Sequence, residues 1–251
     1  MYILQKIKFP IIAIVSCVLV LFANSLPSHS QTSPTQIALA GTIRDFSDSH
    51  PDFERSPGEI SADESVFRYA LDRGIVSDRL GADNLPVYAG GSFSTTTEAN
   101  FNQWFRNVDS VNQSLQYPIV LSKTESGIYR YENRSFFPID GLALGNEGRS
   151  HNYHFTYQIT SEFTYSGGEE FKFSGDDDVW VYLNGYKAID IGGVHSRQDD
   201  SVALDDIAEA AGLEVGQTYS FNFFFAERHT TESNFIIETN IAFEAPILFA
   251  D

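Results

Sequence analysis

Three carboxylates stand side by side at Asp176, Asp177 and Asp178, between two runs that alternate in strand fashion. Adjacent carboxylates repel one another, so such a triplet is either solvated or neutralised by a cation. Oxygen-only ligands on a constrained turn suit a hard ion, Ca2+ first; a solvated acidic turn is the other reading. The spacing is not that of an EF-hand loop, which needs alternating acidic positions and a closing Glu. Two more polar stretches follow. One ends in Gly192, Gly193, Val194 and His195; the other runs from Glu227, Arg228 and His229 to Ser233 and Asn234. They supply the planar donors and carboxylates that hold sugar hydroxyls. Trp180 offers a stacking face, or else fills the core as part of a half-buried strand. His195, His229 and Glu227 could instead hold a transition metal such as zinc, and Glu227 with Arg228 could form a plain ion pair.

Catalysis finds less support. Two carboxylates roughly 5–9 Å apart can cleave glycosides, but neighbouring residues on a turn aim their carboxylates apart. There is no G-x-S-x-G elbow and no P-loop or dinucleotide fingerprint. Cys17 is the single cysteine, so beyond the first residues there is neither a thiol nucleophile nor a disulfide.

The elements that must position these groups read as strands. Phe171 and Phe173 alternate with Lys172 and Ser174; Val179, Val181 and Leu183 alternate with Trp180 and Tyr182. Asn184-Gly185 is a hairpin turn, and Gly167-Gly168 is expected to lead into a central hairpin with the acidic triplet at its tip. Tyr219, Phe221, Phe223 and Phe225, then Phe235, Ile237, Thr239, Ile241 and Phe243, predict two more strands. Residues 37–46 read as one strand, and Arg197 to Ser201 as a polar loop. Phe101, Trp104, Phe105 and Val108 have helical spacing after Thr97-Glu98, and Leu204 to Gly212 predicts a second short helix. The fold expected is all-β: an antiparallel β-sandwich, jelly-roll-like, with one or two short helices and long covering loops from residues 37–118.

The chain has 251 residues, 42% of them hydrophobic, enough for one large domain. Lys6 and Lys8 followed by the apolar run Phe9 to Phe22 predict a signal peptide over residues 1–30, with an uncleaved anchor as the alternative. Residues 31–36 read as a linker and 37–251 as a single domain. A net charge of −18 opposes binding to nucleic acid or anionic membranes. An extracellular or cell-surface location follows from the leader.

Gly175 to Val181, Asp190 to His195, Phe225 to Thr231 and Ser233-Asn234-Phe235 closely resemble the fibro-slime domain. So do the blocks Gly41 to Phe46 with His50 to Glu54, and Phe136 to Gly141 with His151-Asn152 and Phe155-Thr156. That domain is similar to the protective-antigen-type carbohydrate-binding β-sandwich. The resemblance implies an Asp-Asp pair, often joined by a cis peptide, that holds Ca2+ against sugar hydroxyls; Asp176 and Asp177 match it. Asp178 stands where the wider family often has Gly. The resemblance also implies that the three polar loops share one end. The expected ion ligands are therefore Asp176, Asp177 and Asp178 with Glu227 and Asn234. The expected ligand-binding residues are His195, Arg228, His229 and Trp180. Asp140 is a second-tier ion ligand, or simply the turn residue before Gly141; His50 is a turn histidine before Pro51. The functional expectation is a secreted Ca2+-dependent carbohydrate-binding or adhesion module, without enzyme activity, whose partners are glycans or matrix and cell-surface components. A structural matrix protein with a purely structural ion is the alternative, and a secreted glycoside hydrolase the third.

Overall fold

A computed structural model describes residues 34–60 and 66–244. The predicted leader and residues 31–33 of the linker lie outside the described residues, and Gln36 of the linker already belongs to β1. Six strands form one sheet in the order β1 (Gln36–Leu39), β4 (Ile119–Lys123), β5 (Tyr129–Asn133), β12 (Phe235–Thr239), β7 (Glu170–Gly175) and β10 (Gln198–Ala203). Six form the other, in the order β3 (Asn112–Gln116), β2 (Gly41–Phe46), β6 (Phe155–Thr164), β11 (Thr218–Glu227), β8 (Asp178–Leu183) and β9 (Tyr186–Ile191). Neighbouring strands are antiparallel throughout. The molecule is the all-β sandwich that the alternation predicts, with two short helices, α1 (Glu98–Phe101) and α2 (Leu204–Ala211).

Period-2 alternation decides which side chains meet. Phe221, Phe223 and Phe225 point inward beside Val179, Val181 and Leu183, and Phe171, Phe173, Phe235 and Ile237 reach them from the facing sheet. Strand β8 is buried along its whole length. Its other face sends Trp180 and Tyr182 into a second core with Phe224, Phe46, Phe53, Ile75, Phe101, Trp104 and Phe105. Residues between β2 and β3 build this second core over the outer face of the sheet, against side chains of β2, β11 and β8. A buried aromatic contributes roughly 1.5–3 kcal/mol, so the covering segment is part of the folded body.

Four local expectations are corrected. Residues 37–46 form two strands, β1 and β2, that belong to different sheets and break at Ala40. Strands β7 and β8 are not a hairpin: each pairs within its own sheet, and the chain crosses the sandwich at Asp176-Asp177. Arg197 to Ser201 largely belongs to β10, whose acidic residues suit a sheet edge. Finally, the helix over residues 97–108 is a single turn. Thr97 caps it through Asn100 N, but beyond Phe101 the next carbonyls bind elsewhere. Those of Gln103 and Arg106 accept from Asn112 Nδ2, and that of Trp104 accepts from Thr156 Oγ1. The apolar spacing still puts Phe101, Trp104 and Phe105 in one core. Helix α2 closes on Gly212 in the left-handed region (φ 68°), as its sequence predicts.

Candidate functional site

Three connections cross between the sheets at one place: Asp176-Asp177 from β7 to β8, residues 192–197 from β9 to β10, and residues 228–234 from β11 to β12. Each member of the acidic triplet secures one or two of them. Asp176 Oδ2 accepts from Asn234 N at 2.7 Å and Asn234 Nδ2 at 2.8 Å. Asp177 Oδ1 accepts from His195 N at 3.1 Å, while its Oδ2 accepts from Arg228 N at 2.9 Å. Asp178 Oδ1 accepts from Gly193 N at 2.6 Å. Two glycines allow this approach. A Cβ on Gly175 would overlap the Asn234 carbonyl, and one on Gly193 (φ 109°) would overlap the Ala70 carbonyl. Asp177 lies in the left-handed region at φ 51°, a conformation that costs a non-glycine residue about 1–3 kcal/mol and marks functional positions. The Asp176–Asp177 peptide is trans, unlike the pair the resemblance implies.

Asp178 and Arg228 take roles other than those expected of them. The guanidinium donates through Nε to Asp178 Oδ2 at 2.5 Å and through Nη2 to Oδ1 at 3.1 Å, both side chains fully buried. It lies 4.7 Å over the Trp104 ring and donates to the Ser94 carbonyl. Burial opposes the charge on Arg228, but Asp178, Asp177 and Asp52 outweigh it and hold its pKa above the usual range. Arg228 therefore neutralises Asp178, and neither lines the cleft described below. Trp180 is also corrected as a stacking face. It is fully buried, packs against Phe101, Trp104 and Phe105, and donates Nε1 to Asp190 Oδ1 at 3.0 Å. Asp140 is occupied by His151 Nδ1 at 2.6 Å and Asn152 N at 2.8 Å. His50 bonds Gln103 and the Asp52 amide, as a structural turn residue does.

What remains is a set of buried oxygens without partners. Asp176 Oδ1, both Glu227 carboxylate oxygens and Ser233 Oγ are sequestered without a well-formed hydrogen bond, although Ser233 and Asp177 lie close enough to Glu227 to act on its carboxyl group. Burial pushes Glu227 well above the ordinary carboxylate range, and the charges of Asp177 and Asp176 push it further. Burial also raises Asp177 to about 7, against the pull of Arg228 and with the push of Asp178. A buried polar atom left unpaired costs about 1–3 kcal/mol, so burial here favours protonated carboxyl groups. The donors are all oxygens and fit a hard cation. Among the described residues, however, no three His, Cys, Asp or Glu side chains stand as a ready coordination sphere.

Beside this set opens a cleft of about 370 Å3, lined by Tyr69, Asp176, Asp177, His195, His229 and Thr230 among others. His195 places Nδ1 3.0 Å from the Ser196 carbonyl, while its buried Nε2 has no partner. Burial lowers its pKa, outweighing Asp178, and so favours the neutral ring. The structure thus brings Asp176, Asp177, His195 and His229 to one cleft, with Glu227 and Asn234 behind it. Sequence reasoning missed Tyr69, Glu54 and Thr230. Tyr69 is 44% exposed and presents the cleft's aromatic ring, edge-on to His229 at 4.8 Å. For Tyr69 the alternation with Phe67 was the available signal, while Glu54 and Thr230 lie inside the blocks that carry the resemblance.

A family model described as the PA14 domain matches residues 132–244, which include all three crossings. Protein psiC of Dictyostelium discoideum is 39% identical over 228 residues, covering 82% of this chain and 41% of that protein. Protein psiD of the same organism is 38% identical over 230 residues, covering 85% and 43%. The chain thus spans under half the length of either relative. Among solved structures, the PA14 domain of the MpAFP antifreeze protein aligns at 10% identity over 86% of this chain and 87% of that one, with a TM-score of 0.30. Residues 132–244 match a PA14 domain, within a chain similar over most of its length to the psi proteins of Dictyostelium discoideum.

Proposed function

We propose that the chain is a Ca2+-dependent carbohydrate-binding or adhesion module that works outside the cell, at a surface or in a matrix, as the fibro-slime resemblance implies. One observation carries the reading. Four buried oxygens, from Asp176, Glu227 and Ser233, lack partners directly behind an open cleft. Asp176, Asp177, Glu227 and Asn234 would hold the ion, with Ser233 as a further donor. The ion would supply strong coordination of vicinal hydroxyls, replacing protons on the raised carboxyl groups. His195 and Tyr69, which line the cleft, would face the sugar, with Tyr69 giving its ring. The similarity of the psi proteins and the PA14 match support a binding module rather than a catalyst.

A glycan array probed with the full chain in CaCl2 and in chelator tests this directly. Binding that needs Ca2+ and is lost in Glu227→Gln supports it. Ca2+ binding with no glycan bound would favour the structural-ion alternative, and no binding of either would overturn both.

A further inference from the structure

The cleft's rim is held from a part of the chain that lies outside the PA14-matched stretch. Glu54 sits in the covering segment, in the left-handed region at φ 52°. Its amide donates to the Arg228 carbonyl at 2.8 Å, which ties it to the root of the 228–234 connection. Its carboxylate then reaches forward over that connection. Oε1 accepts from Thr230 Oγ1 at 3.1 Å and faces His229 Nε2 at 3.6 Å. Oε2 accepts from Thr230 N at 3.3 Å. Both His229 and Thr230 line the cleft.

The carboxylate is itself held from behind. His154, 2% exposed, brings Nε2 within 2.9 Å of Glu54 Oε2 and Nδ1 within 3.0 Å of Glu147 Oε2. The ring thus bridges the two carboxylates. Glu147 is fixed in turn by Ser47 Oγ at 2.9 Å and Asp48 N at 2.8 Å. On the cleft side the chain of contacts ends at Tyr69. Its hydroxyl donates to the Arg55 carbonyl at 3.1 Å and stands 2.6 Å from His229 Nε2. A polar relay therefore runs from Glu147 through His154 and Glu54 to His229, Thr230 and Tyr69. None of the expected ion ligands is a member.

We propose that Glu54 is a positioning residue for ligand specificity: clamped by His154, it sets the place of His229 and Thr230, and through His229 that of the Tyr69 ring, without contributing to the ion. This rests on the reading of the cleft as a saccharide site. Glu54 is only partly exposed and is already engaged on both oxygens. Its work is thus to hold the rim rather than to touch a ligand.

The test separates three readouts in the full chain. Calorimetry with CaCl2 alone reads the ion. Binding to a panel of immobilised neutral mono- and disaccharides in CaCl2 reads the cleft. Histidine-ring 1H–15N NMR reads the placement of His229. In Glu54→Gln, CaCl2 affinity is expected to stay within about threefold, the His229 ring signals to move, and the best-bound saccharide to weaken about tenfold, the loss of one charge-assisted contact. Glu147→Gln, which leaves every cleft residue in place, is expected to move the same His229 signals less. Unmoved His229 signals in Glu54→Gln, or an unchanged saccharide affinity, would overturn the proposal. Loss of CaCl2 binding would also overturn it, by making Glu54 part of the ion site. If the wild type takes up Ca2+ and binds no saccharide, the saccharide reading fails and the specificity role with it, while the NMR signals still decide whether Glu54 holds the rim.

Discussion

Arg228 Nε sits 2.5 Å from Asp178 Oδ2, and neither side chain meets solvent. The pair locks the start of β8 to the end of β11, with Trp104 stacked on the guanidinium. Removing one partner leaves the other charge buried. Arg228→Met is expected to cost about 3–5 kcal/mol. Asp178→Asn with Arg228→Met should recover part of that loss, because the uncompensated carboxylate is gone. Urea unfolding midpoints of the single and double variants check the ordering.

Ca2+ added at about a hundred times its Kd should stabilise the chain by about 2.7 kcal/mol, a rise of several degrees in melting temperature for a domain of this size. Glu227→Gln keeps the shape of the side chain and removes the charge, so the rise should vanish there. Calorimetric scans with CaCl2 and with chelator give the answer.

Protonation should act in the same place with a defined sign. Asp177 is raised from 3.8 to about 7, by burial first. A carboxyl group raised on folding stabilises the fold at low pH and loses that contribution as pH climbs through its folded value. In chelator, the contribution of Asp177 should be complete below about pH 4 and gone above about pH 7. Glu54 runs the other way: burial raises it, but His154, His229 and Thr230 together hold it below 4.5. Its contribution is present above 4.5 and lost in more acid solution. Denaturant titrations from pH 3 to pH 8, repeated in Asp177→Asn and Glu54→Gln, separate the two slopes.

The aromatic assignments also divide cleanly. Trp180→Ala empties a fully buried site and should cost about 3–5 kcal/mol. Tyr69→Ala, at a half-exposed ring, should cost about 1 kcal/mol or less and weaken saccharide binding. Equal stability losses would contradict the burial difference, and equal saccharide affinity in Tyr69→Ala and wild type would remove Tyr69 from the site.

Strand character was legible because Phe221, Phe223 and Phe225 or Val179 and Val181 alternate without interruption. The sheet each strand joins was not. A short link between two alternating runs looks like a hairpin, and nothing in Gly175-Asp176-Asp177 announces that β7 and β8 part to opposite sheets. The α1 spacing was read correctly as a shared core face and wrongly as a long helix, since the carbonyls of Gln103 and Trp104 are taken by the side chains of Asn112 on β3 and Thr156 on β6. Asp176, Asp177, His195 and His229 could be singled out because their blocks are rich in Gly and charge. Glu54 and Tyr69 could not, because their positions relative to the cleft depend on how the covering segment wraps the sheet. Trp180 misled for a related reason: alternation gave it the face away from the main core, and a second core was waiting there.

The two-sided burial of β8 has a practical consequence for where the molecule can be cut. A fragment bounded by the PA14 match would begin at residue 132, keep all three crossings and still lack β2, which lies between β3 and β6. It would also shed the segment that covers Trp180, Tyr182 and Phe224. Those rings on β8 and β11 would face water and β6 would become an unpaired edge, the combination that drives chains to aggregate. The boundaries of the sequence match are therefore not the boundaries of a folding unit, and a soluble minimal module has to start before β2.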